Sequence, residues 1–469
     1  MESIIRKHHA AIYRISLCVL FLMMLFLTRL ETARIAPVAV AVVLLLSVGL
    51  AVFRRARLLV LPFFLLCVSL IFCYDSFAVF IRYLWLLPVF LIALAVHIIR
   101  LSPKFLRGRS FYPLCAVALA TVLSGAWVVT AAEYFSPVAL YYTIGLGPGL
   151  VFLYWLFKNE MRERGENREL ALDLAALSLT VTAVVLGYRL LHLRDAFALG
   201  SLSAVQWSNN AATMLLFSSP AVFALAKKHP AWLLAGGATV LATVLTGSRG
   251  GILFAPVLAI CCLIWLWVTE EREHVIRRLW YRFFLFFVFA CGVSVFLLIW
   301  GNWTKIDLRV TGDVRAKLFA RSFSDFWESP LFGKGFAYQG NGDLYQSKQG
   351  GMNWFHMFFP QIIGAMGLCG IFAWGWQLFA RARLSFACRK EPDFVFALCY
   401  FGLFLMSQVN PGEFCPVPYA LNAVLFMVAL ENTGAETAAL KYNEKERRRK
   451  EKKEKPQKRA EEERRAASR

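Results

Sequence analysis

Apolar residues in this chain run in long stretches divided by short polar breaks, without the strict alternation of a half-buried strand. A helix needs about 20 mostly apolar residues to cross about 30 Å of hydrocarbon, since each residue adds about 1.5 Å. About fourteen stretches approach that length. They lie near 11–28, 36–53, 58–74, 79–99, 111–131, 137–157, 170–190, 211–226, 230–247, 252–268, 283–300, 355–380, 394–408 and 418–431. The pattern predicts an all-α polytopic membrane protein with several short spans, among them 211–226 and 394–408.

Composition removes the soluble alternative. The 469 residues are 59% hydrophobic by a count with Tyr and without Gly, or about 62% by the definition under which soluble domains reach about 45–50%. The net charge of +21 would point to nucleic acid in a soluble protein, but here the positions of the charges decide its meaning. Lys and Arg are retained in short cytoplasmic loops. Alternate loops carry Arg54, Arg55 and Arg57; Arg100, Lys104, Arg107 and Arg109; Lys158, Arg162, Arg164 and Arg168; Lys227 and Lys228; Arg272, Arg277, Arg278 and Arg282; and Arg381, Arg383, Arg389 and Lys390. All fall on one side with Arg6, Lys7 and the C-terminal tail, so both termini are expected to be cytoplasmic. The first apolar run has a basic start but no A-x-A cleavage site, and reads as a retained span. The tail from Lys441 alternates Glu with Lys and Arg and reads as a solvated appendage near anionic head groups. No nucleic-acid partner is expected.

The eleven Cys are scattered through apolar segments without a C-x-x-C pair or zinc spacing. Ile144-Gly145-Leu146-Gly147-Pro148-Gly149 sits inside an apolar span with no preceding strand, so it reads as a kinked or closely packed helix and not a phosphate loop.

Charges facing outward run against the retention rule, so each needs a reason. Leu245-Thr246-Gly247-Ser248-Arg249-Gly250-Gly251 joins two spans whose far ends carry Lys227 and Lys228 on one and Arg277 and Arg278 on the other, which puts Arg249 on the outer face. Ser and two Gly around an arginine at a helix break combine a planar cation with approachable backbone N–H groups, a pairing suited to diphosphate. An interfacial arginine anchoring the helix end fits the same pattern. The outer segment 301–354 is long, basic and aromatic, and a loop of that length is uncommon unless functional. Within it, Asp313-Val314-Arg315 followed by Phe319, Phe323 and Phe326 suits a helix with an aromatic face, one of the kind more often used for packing than for ligands. Pro330-Leu331-Phe332-Gly333-Lys334-Gly335 ends it. Trp354-Phe355-His356-Met357 then opens an apolar span, where His356 either serves the structure or accepts a proton from a sugar hydroxyl.

In order and spacing, these segments resemble the O-antigen ligase and polymerase superfamily of bacterial membrane glycosyltransferases. Ser248 to Gly250 resembles the family's outer S-R-G motif, Arg315 to Phe336 its R…P-L-F-G-x-G-F signature, and His356 with Gly364 to Gly370 its H-N…G-L-x-G helix. Trp207-Ser208-Asn209-Asn210-Ala211 is similar to a looser upstream segment. The resemblance covers about residues 190 to 375. Met357 stands where family members commonly have Asn. The resemblance implies a GT-C-like fold of about 12–14 transmembrane helices. It also implies transfer of a glycan from a polyprenyl diphosphate carrier to a glycan or lipid-glycan acceptor in the cytoplasmic membrane. His356, Arg249 and Arg315 are the expected catalytic residues, with Ser248, Gly250, Arg189, Arg194, Asn210, Arg321 and Lys334 around the substrate. No metal and no cofactor are expected, because no acidic cluster suits a divalent ion and the donor arrives activated. The implied division is 1–190 for N-terminal helices, 191–380 for the catalytic region, 381–431 for C-terminal helices and 432–469 for the tail.

Two other functions compete. A flippase for lipid-linked sugars would also need outward cations, but transporters commonly carry paired repeats, and no repeat is visible. A peptidoglycan polymerase of the shape, elongation and division type would rely on an outer-loop Asp, for which Asp307, Asp313, Asp325 and Asp343 are available.

Overall fold

The computed structural model describes residues 85–130, 137–162, 165–191, 208–301, 314–335, 355–410, 412–415 and 419–433, with scattered helical positions between 11 and 52. The elements are α1 (Leu86–Leu101), α2 (Phe111–Thr130), α3 (Pro137–Leu146), α4 (Pro148–Glu160), α5 (Glu166–Leu191), α6 (Ser208–Ala224), α7 (Trp232–Leu245), α8 (Arg249–Thr269), α9 (Val275–Gly301), α10 (Val314–Glu328), α11 (Phe358–Ala387), α12 (Val395–Ser407) and α13 (Leu421–Thr433). Among the described residues there is no strand, and α5, α8 and α11 are long and apolar enough to cross a membrane. The expected span at 58–74, most of those at 11–28 and 36–53, the loop segments 302–313 and 336–354, Arg194 and the charged tail lie outside the described residues.

Helix α6 is the centre of the bundle. Every residue from Ala211 to Phe223 is buried, and α5, α7, α8 and α12 all pack on it. Its mix of small and apolar residues on all sides is what such a position demands. Pro220 has no N–H, so the Leu216 carbonyl loses its helical donor. Ser219 Oγ donates to that oxygen at 3.4 Å, and Gly402 of α12 comes so near that a Cβ there would lie 2.4 Å from it. The Gly-rich stretch between α3 and α4 is a break at Gly147, where a Cβ would lie 2.4 Å from the Thr143 carbonyl.

Charged and polar side chains tie the loops together at one end of the bundle. Glu431 of α13 accepts from the Ser110 backbone at 2.7 Å and from Tyr154 at 2.6 Å, and pairs with Lys158 at 3.1 Å. Asn167 donates to Asp393 at 2.9 Å, and Thr433 bonds the same carboxylate. Lys227 lies 4.3 Å over the Trp265 ring, which packs on Phe394, while Arg277 bonds the Lys227 carbonyl and Glu270.

Helix α11 is not one straight rod, contrary to the single span expected at 355–380. In a straight helix residues 358 and 374 would lie about 24 Å apart, yet the Phe358 and Trp374 rings are 5.3 Å apart. The chain doubles back at Gly367, whose φ of 60° is open to glycine at little cost. About 20 residues from Leu368 onward remain, still about 30 Å of helix. The turn after α10 supplies the backbone partners that the break removes. Lys334 and Gly335 donate N–H groups to the Gly364 and Ala365 carbonyls at 2.9 Å each. In return, the Leu368 and Cys369 N–H groups donate to the Pro330 and Leu331 carbonyls at 2.8 and 3.1 Å. One turn thus caps the end of one helix half and the start of the next. A Cβ on Gly333 would sit 2.4 Å from the Ala365 carbonyl carbon, and one on Gly367 would sit 2.6 Å from the Pro330 oxygen.

Two side-chain placements differ from the sequence reading. Arg381 is not in a cytoplasmic loop. It is buried within α11, paired with Glu413 and stacked near Trp374 and Tyr400. Hydropathy ends the span at this arginine, but a buried carboxylate lets the helix continue past it. The aromatic face of α10 is not the packed one either. Leu318, Ser322, Asp325 and Ser329 are buried and Phe326 is half-buried, while Phe319, Phe323 and the neighbouring Trp327 are exposed.

Gly367→Ala should destabilise the protein by on the order of 1–3 kcal/mol, read as a lowered thermal midpoint in detergent, because it adds both positive-φ strain and a backbone clash. Glu413→Ala should cost about 3–5 kcal/mol by leaving Arg381 buried and unpaired, and the pair Glu413→Leu with Arg381→Met should recover most of it.

Candidate functional site

The junction between α7 and α8 is held on three sides. Gly247, at φ 76°, breaks the chain, and Ser248 caps α8 by accepting from Gly251 N–H at 3.3 Å. The Ser248 hydroxyl donates to Asn209 Oδ1 at 2.7 Å, which ties the junction to the start of α6. Next to it, Asn210 Oδ1 accepts from Tyr419 at 2.9 Å. On a second side, buried Arg189 at the end of α5 donates through Nε to the Leu245 carbonyl at 2.9 Å, and its Nη2 has no hydrogen-bond partner among the described residues. On the third side, a Cβ on Gly250 would meet Met406 Sδ and Val409 Cγ2 at 2.8 Å each, so α12 closes against the glycine. Arg249, the first residue of α8, is exposed and has no ion pair among the described residues.

His356 lies in the short segment that leads into α11. Its φ is 53°, which is uncommon for a residue with a Cβ. Met357 offers no side-chain cap, and Gln361 of the first turns instead ties down the entering chain, its Oε1 accepting from Phe355 N–H at 3.1 Å. The Phe355 ring closes over Gly364, where a Cβ would lie 2.5 Å from it. Beside the turn after α10, Lys334 pairs with Glu328 at 2.7 Å. Asp325 is 4% exposed, and its Oδ2 has no hydrogen-bond partner among the described residues. Burial pushes its carboxyl from 3.8 up to about 6, against the opposing pull of Lys334 and Arg321.

The structure therefore sorts the expected residues into two groups. Arg189, Asn210, Ser248, Arg249 and Gly250 meet around the α7–α8 junction. Arg321 and Lys334 stand with Asp325 on α10 and its turn, which are spliced to α11 behind His356. Arg315 is on α10, where only its backbone is described, and Arg194 lies outside the described residues. The last turns of α12 support both groups. Phe358 packs on Phe404 at 5.1 Å, and Gly250 packs on Met406. Those two positions differ by about 3 Å along the helix axis, so the histidine segment and the arginine junction lean on one level of α12.

Residues 234–375 match the family model described as O-antigen ligase. The chain carries an O-antigen ligase region. The matched span runs from the start of α7 into α11 and includes the Arg249 junction, α10 with its turn, and His356. It is less than a third of the chain and leaves out Arg189 and Asn210. No curated protein matches the chain. The O-antigen ligase region and the apolar helices support a membrane protein of polysaccharide biosynthesis, with a ligase or polymerase-like function in general terms.

Two features of the O-antigen ligase region escape sequence reading. Gln361 looks like one more polar residue in an apolar span, and its role depends on a bond back to residue 355. Asp325 is one of four aspartates between residues 307 and 343, and only folding buries it. Its raised pKa has a thermodynamic consequence. Between about pH 4 and 6 the folded state holds a proton that the unfolded state has released, so stability falls as pH rises through that window and levels off above it. Asp325→Asn should remove a loss on the order of 2 kcal/mol, flattening the thermal midpoint across that range. An unchanged slope would exclude Asp325 as its source.

Proposed function

We propose that the protein is a membrane glycosyltransferase that takes a glycan from a polyprenyl diphosphate lipid and passes it to an acceptor hydroxyl at the outer face of the bacterial cytoplasmic membrane. The observation that carries this reading is Arg249. It is exposed at the first position of α8, on a junction fixed by Asn209, Arg189 and α12, and it has no ion pair among the described residues. A fixed cation beside a helix N-terminus is suited to a departing diphosphate.

In the transfer, the acceptor oxygen bonds to sugar C1 as the bond from C1 to the phosphate oxygen breaks. The hydroxyl proton passes to His356, and the electron pair leaves with the diphosphate. Negative charge grows on that group, and cations already in place lower the barrier without reorganising. Arg249 and Arg315 supply this charge, supported by Arg189, Arg194, Arg321 and Lys334. Asn210, Ser248 and Gly250 set the shape of the arginine junction. Residues 191–380 form the catalytic unit between N-terminal helices 1–190 and C-terminal helices 381–431, with both termini and the tail 432–469 on the cytoplasmic side. The reaction needs neither metal nor cofactor, since the donor carries its own leaving group.

Arg249→Ala should lower transfer of lipid-linked glycan in reconstituted membranes by about 100-fold or more in an equally expressed, folded protein. Wild-type transfer by that variant would sink the assignment. His356→Ala should lose most activity, and His356→Gln should keep more of it if orientation of the acceptor outweighs proton transfer. Chelators should leave the rate unchanged, and loss with recovery on added magnesium would count against a metal-free reaction.

A further inference from the structure

Helix α10 is packed the wrong way round for a helix in water. Its inward face holds Ser322, Asp325 and Ser329 beside Leu318, all buried. Its outward face holds Phe319 at 49%, Phe323 at 42% and Trp327 at 75% exposure, spaced four residues apart on one stripe. The Phe319 and Phe323 rings stack edge to face at 5.3 Å, so the stripe is a coherent surface. A helix that covers its polar side with protein and leaves three large aromatics outside has its apolar partner elsewhere.

The backbone exchange at Gly367 points to that partner. In the turn that follows α10, Leu331 is also exposed, and its carbonyl accepts from the Cys369 N–H at 3.1 Å. One turn beyond Cys369 begins the exposed row Phe372, Trp376 and Phe379, on the part of α11 long enough to cross a membrane. The aromatic stripe of α10 therefore passes through Leu331 onto the outward face of a membrane-crossing helix. The same hydrocarbon that meets Phe372 and Trp376 would meet Trp327. Lys317 and Glu328 are exposed on α10 and supply the polar margin that an interfacial helix needs.

We propose that α10 is a membrane-docking helix, lying in the boundary between phospholipid head groups and acyl chains with Phe319, Phe323 and Trp327 inserted among the acyl chains. The backbone splice then fixes the height of the Pro330–Gly335 turn relative to the bilayer, and with it the segment that carries His356. This inference rests on the membrane character of the chain and not on the transfer reaction.

The test uses the full-length protein in phosphatidylcholine–phosphatidylglycerol vesicles, comparing the wild type with Trp327→Phe, which keeps an aromatic ring at that position. The difference between their fluorescence spectra isolates Trp327. That component should fall by about half when the phospholipids are brominated high on the acyl chain, and aqueous iodide should leave it intact. Quenching by iodide and not by bromine would put Trp327 in water and overturn the proposal. Quenching by neither would mean that protein covers the stripe, and would overturn it as well. Neither failure touches the assignment of Arg249, which is read from glycan transfer.

Discussion

Four backbone hydrogen bonds between the Pro330–Gly335 turn and the break in α11 hold α10 and the segment around His356 in place. Peptide groups freed at a helix break inside a membrane protein have no water to turn to, and leaving them unpaired would cost several kcal/mol each. This chain fills both sides of the break from one six-residue turn, donating twice and accepting twice. The glycines at 333 and 367 are required at that point because the two backbones approach within distances that exclude a Cβ. Everything carried by α10, from Asp325 to the aromatic stripe, is thereby set in register with the segment around His356.

The arginine junction has a different origin. It depends on α6, whose buried length brings Asn209 under Ser248, and on the C-terminal end of α12, which closes on Gly250. Because Phe404 and Met406 of α12 serve the two halves of the site, a shift of that helix would move both together. Glu413 and Arg381 restrain it from behind, with Tyr400 bonded to the same carboxylate at 3.2 Å. The buried ion pair is thus far from the exposed arginine in sequence but linked to it through one helix.

Much of the helical plan was legible because it follows from local hydrophobicity. The helix boundaries at 232–245, 249–269 and 395–407 lie close to the apolar runs, and the break at Gly247-Ser248 follows from residues that stop and cap helices. What escaped depends on partners distant in sequence. Gly364 to Gly370 reads as the middle of a span, since the donors that permit its break come from residues 334 and 335. Arg381 reads as a loop residue until Glu413 is beside it. The aromatic residues of α10 give the period of a helix but not which face turns inward, because hydropathy does not distinguish a protein core from lipid. Of the candidate site, the sequence put Ser248, Arg249 and Gly250 at a helix break, where the structure also has them, whereas the bond of Gln361 and the burial of Asp325 emerge only from the folded chain.

The position of Glu431 bears on how the molecule is completed. Its carboxylate receives the Ser110 backbone, Tyr154 and Lys158, groups that precede it by more than 270 residues. During synthesis those donors enter the membrane long before their acceptor exists. Until α13 arrives, the ammonium of Lys158 and the backbone of the 108–110 turn lack this acceptor, so that end of the bundle closes last. Helix α13 then acts as a latch on α2 and α4, and a chain cut short before residue 431 would leave the Lys158 ammonium without this carboxylate.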